Sequence, residues 1–414
     1  MKKTLWVLSM VLVVTLLFGA TALSSGFAEA KVTTIRFYGA DQPYNQNIVA
    51  GFQAENPDIK VEIVPIDFNN AEQIIKTGIA SGDPVDVSFF WGTNMITFTE
   101  NDMALDLTSY LTANDNEWKN TFVPAFIDGG LKDGKYYAVS YQPVIETIFY
   151  NVDLFASNNI KVPETWAEYM DACEQFKALG LYGVGCWNGF NHQMLQSAYQ
   201  YMANDGTLEA ATSGQLDFTT CEGLRQCLLD WKYVYDNGYW YPGEGALTST
   251  KEQTEAAWYQ GKIAMIYNAN AAAGLYEKEC PFTVGAMKHP LVKEGGLYAL
   301  NVITNALFIP INAKYPEEAI RFIKYYTSDA GMMEVLKSGR APSTISMQEK
   351  IENKLVKAAI ATSSGDNVVG YSHLQLLSSE INIKIGEIIG AVCMGTPVDE
   401  VLQQLEDLRL AIQE

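Results

Sequence analysis

Hydrophobic positions change their period repeatedly along the start of the chain. Thr33 to Phe37 and Lys60 to Pro65 have the character of short strands, and Val85 to Phe90 is an apolar run typical of a buried strand. Between them, Tyr44 to Glu55 and Ala71 to Ser81 place their apolar side chains on one face of a helix. This order predicts a βαβαβ unit with a mostly parallel sheet and right-handed crossovers.

The same alternation continues through the rest of the chain and predicts an α/β fold. Further strands are predicted at Lys135 to Val139, Thr147 to Tyr150, Leu181 to Gly185, Lys262 to Tyr267 and Val302 to Pro310. Further helices are predicted after the N-cap Thr165, at Cys221 to Asp236, Thr250 to Gln260, Pro316 to Thr327 and Ile381 to Cys393, and from Pro397 to Ile412. Tyr141-Gln142-Pro143 is predicted to separate the first two of these strands.

The first thirty residues have the pattern of an export signal. Lys2 and Lys3 precede the apolar run Leu5 to Phe18, and Ala28-Glu29-Ala30 fits a small-residue cleavage site. The apolar run is shorter than the ~20 residues of a membrane-spanning helix. Residues 1–30 are therefore interpreted as a signal peptide, which predicts secretion across the cytoplasmic membrane to the periplasm. No cysteine precedes Cys173, so a lipid-anchoring cysteine is not expected.

Length and charge narrow the possible functions. The remaining 384 of the 414 residues exceed one ordinary domain and suggest two lobes. The net charge of the whole chain is −20, and it becomes −21 once the signal with Lys2, Lys3 and Glu29 is removed. A chain this acidic repels phosphate backbones and anionic lipid surfaces, which argues against nucleic acid or a membrane surface as a partner.

Metal and cofactor chemistry have no signature in the sequence. The six cysteines and three histidines are scattered, without a CxxC pair or a Cys/His cluster, so no metal site is predicted. Export permits disulfides, and both bridges and buried thiols remain open for the cysteines. No dinucleotide fingerprint follows the first strand and no phosphate loop is present, so no cofactor is predicted.

The first candidate ligand contacts lie where predicted strands end. Ligands of open α/β sheets bind outside the carboxyl ends of the strands. The side chains at these positions are Tyr38, Asp41 and Gln42 at the first strand, Trp91 and Asn94 at the third, and Trp187 and Asn188 after Leu181 to Gly185. They combine aromatic rings with hydrogen-bonding groups, which suits the apolar faces and hydroxyls of a sugar. Packing over the sheet is the competing interpretation for the aromatic residues.

Eight short motifs occur together in the order and spacing of one known family. They are Phe52 to Val61, Ser81 to Val87, Ala104 to Thr108, Lys132 to Tyr137, Phe149 to Phe155, Pro163 to Trp166, Gly261 to Met265, and Cys393 to Val401. Over nearly the whole chain after the signal, they resemble the family 1 extracellular solute-binding proteins, the group that includes maltose-binding protein.

The resemblance implies a two-lobed periplasmic-binding-protein fold of type II. Each lobe would be a mostly parallel sheet flanked by helices, with the ligand in the cleft between lobes. One lobe would comprise residues 31–141 and 287–338, and the other residues 142–286 and 339–414. The implied function is that of the substrate-binding component of an ABC importer. It would bind a carbohydrate by hinge closure, deliver it to the transmembrane subunits, perform no catalysis and act as a monomer.

Five more side chains become candidate ligand contacts against this implied fold. Glu146 follows the first crossing between lobes, Arg340 follows a Ser-Gly turn, and Trp240 lies in a loop before a Pro-Gly pair. Asn268 and Asn270 stand where family members often carry Gly and Trp, which predicts an amide contact in place of stacking. A solvated strand residue, surface packing and helix capping are the respective alternatives for Glu146, Trp240 and the asparagines.

Ligands other than a neutral sugar remain open. Only Arg36 and Arg340 lie near the candidate loops, which favours a neutral sugar over a uronate. A binding protein of the same fold for a metal, polyamine or anion is one alternative, because the fold does not fix the ligand. A secreted carbohydrate-active hydrolase is another, and it would need two carboxylates across a glycosidic bond, such as Asp41 and Glu146. Nothing in the sequence isolates such a pair.

Overall fold

The structure is a computed structural model that describes residues 32–66, 70–83, 85–91, 95–187, 192–365, 367–372 and 378–413. The predicted signal peptide, Asn94 and Asn188 lie outside these residues. The strands are β1 (Thr33–Gly39), β2 (Ile59–Pro65), β3 (Val87–Trp91), β4 (Leu131–Lys132), β5 (Lys135–Tyr136), β6 (Val139–Asn151), β7 (Tyr182–Gly185), β8 (Ile263–Ala269), β9 (Val284–Met287), β10 (Tyr298–Phe308) and β11 (Val368–Ser372).

Helices connect most of these strands. They are α1 (Pro43–Glu55), α2 (Ala71–Ser81), α3 (Met95–Thr99), α4 (Thr108–Asn116), α5 (Pro124–Ile127), α6 (Val152–Ser157), α7 (Trp166–Ala178), α8 (His192–Asp205), α9 (Leu208–Thr212), α10 (Glu222–Asp236), α11 (Lys251–Tyr259), α12 (Ala273–Glu279), α13 (Pro316–Tyr326), α14 (Asp329–Lys337), α15 (Ile345–Gln348), α16 (Lys354–Ala361), α17 (Ser379–Cys393) and α18 (Val398–Gln413). Within the described ranges, no helix has both the length and the apolar character needed to cross a membrane.

The predicted N-cap of α7 is confirmed. The Thr165 side chain accepts a hydrogen bond from the Glu168 backbone N–H, and the Glu168 carboxylate accepts one from the Thr165 N–H. Thr250 and Gln253 form the same reciprocal arrangement at the start of α11. Each capping box satisfies backbone donors that a helix start leaves without intrahelical partners, so the sequence determines these two helix starts locally.

Over the described residues the main sheet contains nine strands, and it confirms the α/β class. Its order is β2-β1-β3-β10-β6-β8-β7, with β11 beside β10 and β9 beside β6. The pairs β1–β2 and β1–β3 are parallel, as predicted for the βαβαβ unit, and the pairs β7–β8 and β10–β11 are parallel as well. The pairs that involve β6 with β8, β9 or β10, and β10 with β3, are antiparallel. The sheet is therefore mixed at its centre, because β10 returns the chain in the direction opposite to β3 and β6.

The predicted separation at Tyr141-Gln142-Pro143 is a register shift within one strand: β6 runs from Val139 to Asn151, and its pairing with β10 skips Tyr141, since Asn305 lies opposite Gln142 and Ala306 opposite Ser140. Pro143 lies opposite Thr304 in β10 and has no N–H to donate to a ladder. Next to it, the Asn270 side chain accepts a hydrogen bond from the Ile145 N–H at 3.3 Å and donates to the Pro143 carbonyl at 3.4 Å. This amide serves β6 as a strand partner just beyond the end of β8, so the strand continues past the proline.

Two strand groups share β6. The first strand group is β1, β2, β3, β10 and the first half of β6, and the second strand group is β7, β8, β9 and the second half of β6. Helices α1, α13 and α14 pack on one face of the first group, and α2 and α3 on the other. Helices α7, α8, α10, α17 and α18 cover one face of the second group, and α11, α12 and α16 the other. Each group therefore has hydrophobic cores on both faces of its sheet.

Candidate functional site

The strand registers bring two sets of carboxyl ends close together. Strand β3 ends at Trp91, which pairs with Asn305, and Asn305 pairs in turn with Gln142 of β6. Strand β8 ends at Ala269, which pairs with Glu146 of β6. Four residue steps along β6, or ~13 Å, separate Gln142 from Glu146. We call the region between these strand ends, at residues 142–146 of β6, the strand-end cleft, and it is where an α/β sheet is expected to hold a ligand.

The first side of the strand-end cleft carries amide groups. Asn305 Nδ2 donates to Gln142 Oε1 at 3.1 Å. The Asn305 Oδ1 atom is buried and has no hydrogen-bond partner within the described part of the chain. Asn305 thus presents an acceptor beside the end of β3, where it would match a ligand hydroxyl. The Trp91 backbone ends β3 at the predicted position.

Gln42 and Arg340 are brought together although 298 residues separate them. Arg340 Nη2 donates to Gln42 Oε1 at 3.0 Å, and the guanidinium lies over the Tyr44 ring at 4.7 Å from its centre. Gln42 is the N-cap residue of α1 and follows the carboxyl end of β1. Asp41 is exposed beside it and accepts a hydrogen bond from Gln46 at 2.7 Å. The sequence predicted three of these groups separately, and the fold assembles them with Tyr44.

A pocket of about 590 Å³ adjoins this group and includes Arg340 in its wall. Met333 and Leu336 of α14, together with Ile351 and Val356, supply its apolar lining. Met333 packs against the first strand group, while Ile351 and Val356 belong to a core of the second. The pocket therefore lies between the two groups.

Glu146 belongs to a buried hydrogen-bond network on the second side of the strand-end cleft. Tyr267 Oη donates towards Glu146 Oε2 at 3.0 Å and Gln196 Oε1 at 2.7 Å. Burial is the main cause of a Tyr267 pKa well above its usual value, and the Glu146 charge adds to it. The phenol therefore remains a donor at neutral pH. Glu146 is 1% exposed, so it is not a solvated strand residue.

A buried polar stripe of α8 supports this network. Gln196 Nε2 donates to the Ala299 carbonyl at 3.0 Å, and Gln200 Oε1 accepts from the Ala299 N–H at 3.2 Å. Asn204 accepts from the Leu297 N–H at 2.9 Å and donates to its carbonyl at 3.0 Å. These side chains give the start of β10 a set of partners resembling a neighbouring strand. The stripe thus fixes the segment that leads from the second group into the first.

The other predicted asparagines have internal partners. Asn268 Nδ2 donates to Tyr276 Oη at 2.7 Å and to Glu255 Oε1 at 3.3 Å, while its Oδ1 accepts from the Ala269 N–H at 2.8 Å. Asn270 is 3% exposed and bridges two backbone groups of β6 as described above. Both asparagines organise the end of β8 and the middle of β6, next to Glu146, and neither caps a helix through its side chain.

Three predicted aromatic residues are packed in cores. Trp240 is 2% exposed and its Nε1 donates to the Cys186 carbonyl at 2.9 Å. Trp187 is 9% exposed, with the Lys251 ammonium 5.9 Å from its ring centre. Tyr38 is 5% exposed and packs with α2, where Arg36 donates to its hydroxyl at 3.2 Å. The fold does not bring these rings together with the group at Gln42 and Arg340, because each strand or loop directs them into hydrophobic contacts.

Comparisons with known proteins identify the family of this chain. The model of the bacterial extracellular solute-binding protein family matches residues 38–333, which is more than half of the chain. The chain belongs to this family. A Brucella abortus relative named as a binding protein is 25% identical over 319 residues, or 74% of each chain. The multiple sugar-binding protein of Streptococcus mutans is 26% identical over 304 residues, covering 70% of this chain and 69% of its own.

Solved structures support the two-lobed fold of this solute-binding protein. A chitin oligosaccharide binding protein superimposes with a TM-score of 0.75 at 19% identity, covering 91% of this chain and 98% of its own. The two-lobed fold class is thereby confirmed. The family consists of extracellular binding proteins, which agrees with the predicted location outside the cytoplasm.

Sequence reasoning missed several residues that the structure places at the candidate site. Tyr44, Gln142, Gln196 and Tyr267 were not among the candidates, and Asn305 was not selected. Polar residues recur on α8 at helical spacing, from Gln193 to Asn204, which on its own is typical of a solvated face. Only a fold that buries this face against β10 distinguishes it. Among the described residues, no group of three or more His, Cys, Asp or Glu side chains is arranged to hold a metal ion.

Proposed function

We propose that this protein is the carbohydrate receptor of an ABC importer. The facing strand ends of the two groups across residues 142–146 of β6 carry the proposal, since ligands of α/β sheets bind at such ends and amide and carboxylate side chains lie beside them. Two relatives support a sugar as the ligand, because their names refer to multiple sugars and to chitin oligosaccharides. The proposed contacts are Asp41, Gln42, Trp91, Asn94, Glu146, Asn188, Asn305 and Arg340.

Ligand binding is proposed to close the two lobes about the strands that cross between them. The proposed lobes are residues 31–141 with 287–338, and residues 142–286 with 339–414. Hydrophobic packing supports the first boundary, because β6 leaves the first core near Tyr141. Met347 still packs in the first core and Ile351 in the second, which favours a third boundary nearer 350. The closed form would be recognised by the importer's transmembrane subunits.

The same proposal covers location and activity. We propose that residues 1–30 are removed on export, that the mature protein acts in the periplasm as a monomer, and that it performs no catalysis. Tyr267, itself hydrogen-bonded to Gln196, holds the Glu146 carboxylate in place, which suits a fixed hydrogen-bond acceptor for sugar hydroxyls.

A thermal-shift screen of the mature protein tests the proposed function. The panel contains mono- and oligosaccharides, with polyamines and iron as non-sugar ligands. A ligand that binds only the folded state at ~100 times its Kd stabilises it by about 2.7 kcal/mol, which raises the Tm by several degrees. A shift with one sugar class, without product after long incubation, supports a receptor. A shift with only a non-sugar ligand, or release of sugar products, contradicts the proposal.

Trp91→Ala is expected to weaken binding of the sugar found in that screen by about tenfold. A ring stacked on a sugar face contributes ~0.5–1.5 kcal/mol beyond area burial, and 1.4 kcal/mol corresponds to tenfold in affinity. Isothermal titration calorimetry measures the change. Trp118→Ala is the matched control, because Trp118 lies outside the strand-end cleft. Its Nε1 donates to Thr327 Oγ1. Equal affinity of Trp91→Ala and wild type, with cooperative unfolding of both, would remove Trp91 from the site.

A further inference from the structure

Arg340 is the one arginine of the chain that the described residues leave without a carboxylate partner. The sequence contains five arginines. The other four form ion pairs, namely Arg36 with Asp83, Arg225 with Asp399, Arg321 with Asp58, and Arg409 with Glu406. In a chain with a net charge of −20, acidic side chains are abundant, so an unpaired guanidinium is a notable exception.

Neutral groups hold the Arg340 side chain in place. Its Nη1 donates to Ser338 Oγ at 3.0 Å and its Nη2 to Gln42 Oε1 at 3.0 Å, while the Tyr44 ring lies beneath the guanidinium at 4.7 Å. Stacking and hydrogen bonds of this kind fix the plane of the guanidinium without neutralising its charge. The half-buried guanidinium is therefore oriented before an anion binds. Binding then costs less side-chain entropy than it would with a mobile arginine.

The pocket beside Arg340 fits an acidic sugar. Met333, Leu336, Ile351 and Val356 supply apolar surface for the C–H face of a sugar ring. Glu349 and Glu352 also line the pocket and are exposed, so they can accept hydrogen bonds from hydroxyls. The pocket volume of about 590 Å³ is that of an ordinary small-ligand site.

Two lysines in the same wall have acidic neighbours. Lys337 Nζ lies 2.6 Å from Glu334, and Lys350 Nζ lies 4.0 Å from Asp329. Arg340 has no such carboxylate neighbour among the described residues, and its planar donors match a carboxylate in a bidentate geometry. A single sugar carboxylate would complete the ion pair that the protein leaves open.

We infer that this solute-binding protein takes a carboxylate-bearing sugar, with the carboxylate of a hexuronate residue bound to Arg340. The inference rests on the proposed function and names the substrate class of its site. It reverses the expectation of a neutral sugar, which came from the small number of arginines near the candidate loops. The structure changes this expectation because it places Arg340, without a carboxylate partner, in the wall of a pocket between the two strand groups.

Isothermal titration calorimetry on the mature protein tests the inference. It compares the affinities of oligogalacturonates and other hexuronate-containing oligosaccharides with those of their methyl esters. The ester keeps the sugar and removes the charge. The wild type is expected to bind one acid at least tenfold more tightly than its ester, and added salt should narrow the difference. Arg340→Gln should bind the acid at least tenfold more weakly than wild type and the ester within about twofold.

Two further variants complete the experiment. Arg340→Lys keeps the charge and loses the bidentate fork, so it should bind the acid with intermediate affinity and serves as the test if Arg340→Gln does not unfold cooperatively. Arg321→Gln is the matched control, because Arg321 pairs with Asp58 just before β2, at the opposite edge of the sheet from Gln42. Its affinities should equal those of wild type.

The possible results separate the inference from the proposed function. The inference is overturned if neutral sugars or esters bind as tightly as acids, or if Arg340→Gln still prefers the acid. Either result leaves the proposed receptor function unaffected. Preference for a sulfated sugar over every uronate also overturns the carboxylate assignment. If citrate, a carboxylate that is not a sugar, raises the Tm in the thermal-shift screen and no saccharide does, the proposed function itself is overturned.

Discussion

Trp231→Ala is expected to lower the free energy of unfolding by about 3–5 kcal/mol, because truncating a large buried aromatic residue loses its transfer free energy and leaves a cavity. Trp231 has no exposed surface. Its ring centre lies 5.7 Å from that of Trp166 and 5.8 Å from that of Trp240, so one substitution removes contacts to two other large rings. Urea denaturation followed by far-UV circular dichroism measures the change.

Leu229→Ala on the same helix is the control for that experiment. Leu229 is 43% exposed, so its truncation should change stability by no more than about 0.5 kcal/mol. If the lobes unfold separately, the loss in Trp231→Ala should fall on the transition of the second strand group. A loss below about 1 kcal/mol would show that Trp231 is not part of a close-packed core.

Acidification is expected to destabilise the protein through His289 by about 3 kcal/mol. Complete burial lowers the pKa of His289 from 6.5 to about 4. Its Nδ1 donates to the Pro290 carbonyl at 3.3 Å, and its Nε2 lies 3.0 Å from Ser197 Oγ. Since a carbonyl only accepts, Nδ1 carries the proton of the neutral ring, and Ser197 Oγ donates to the Gln193 carbonyl at 2.8 Å. Trp166 stacks on the ring and offers no charge to stabilise an imidazolium.

The sign follows from proton uptake on unfolding. The unfolded chain binds a proton at His289 near pH 6.5, whereas the folded protein does so only near pH 4. Stability from this group is therefore complete above pH 6.5 and is lost as the pH falls towards 4. A difference of about 2.5 pKa units corresponds to ~3 kcal/mol at ~1.4 kcal/mol per unit.

Denaturation curves at pH 7, 6, 5 and 4 for wild type and His289→Asn check this expectation. The carboxylates titrate in both proteins, so the difference between the two pH profiles isolates His289. The wild type should lose about 3 kcal/mol more than the variant across this range. Parallel profiles would mean that the imidazole gains a proton in the folded state without cost, contrary to its buried position.

Several elements followed from local sequence alone. The predicted helix Ala71 to Ser81 has those bounds in the structure, and the predicted N-cap Thr165 forms its capping box with Glu168. Helix α13 and strand β2 were predicted to within one residue at each end. These features depend on periodicity, turn residues and caps, which act over three to four neighbouring residues.

The continuity of β6 and the burial of α8 could not be predicted in the same way. Pro143 indicates a break, and the strand continues because Asn270 and β10, both distant in sequence, supply partners to this part of β6. The polar stripe of α8 has the pattern of a solvated face until β10 packs against it. In both cases a side-chain amide replaces a backbone partner, and that replacement depends on residues far apart along the chain.

The sequence by itself determined the α/β class, most helix and strand positions, and the family, because hydrophobic period and ordered motifs are local properties of a chain. It also placed candidate contacts at strand ends, where parallel topology requires a ligand to lie. The tertiary structure alone decided which candidates meet. It packed Trp240 and Tyr38 into cores, and it placed Gln42 and Tyr44 against the guanidinium of Arg340. Whether a charged side chain finds a partner depends on distances in space, and only the folded structure sets those distances.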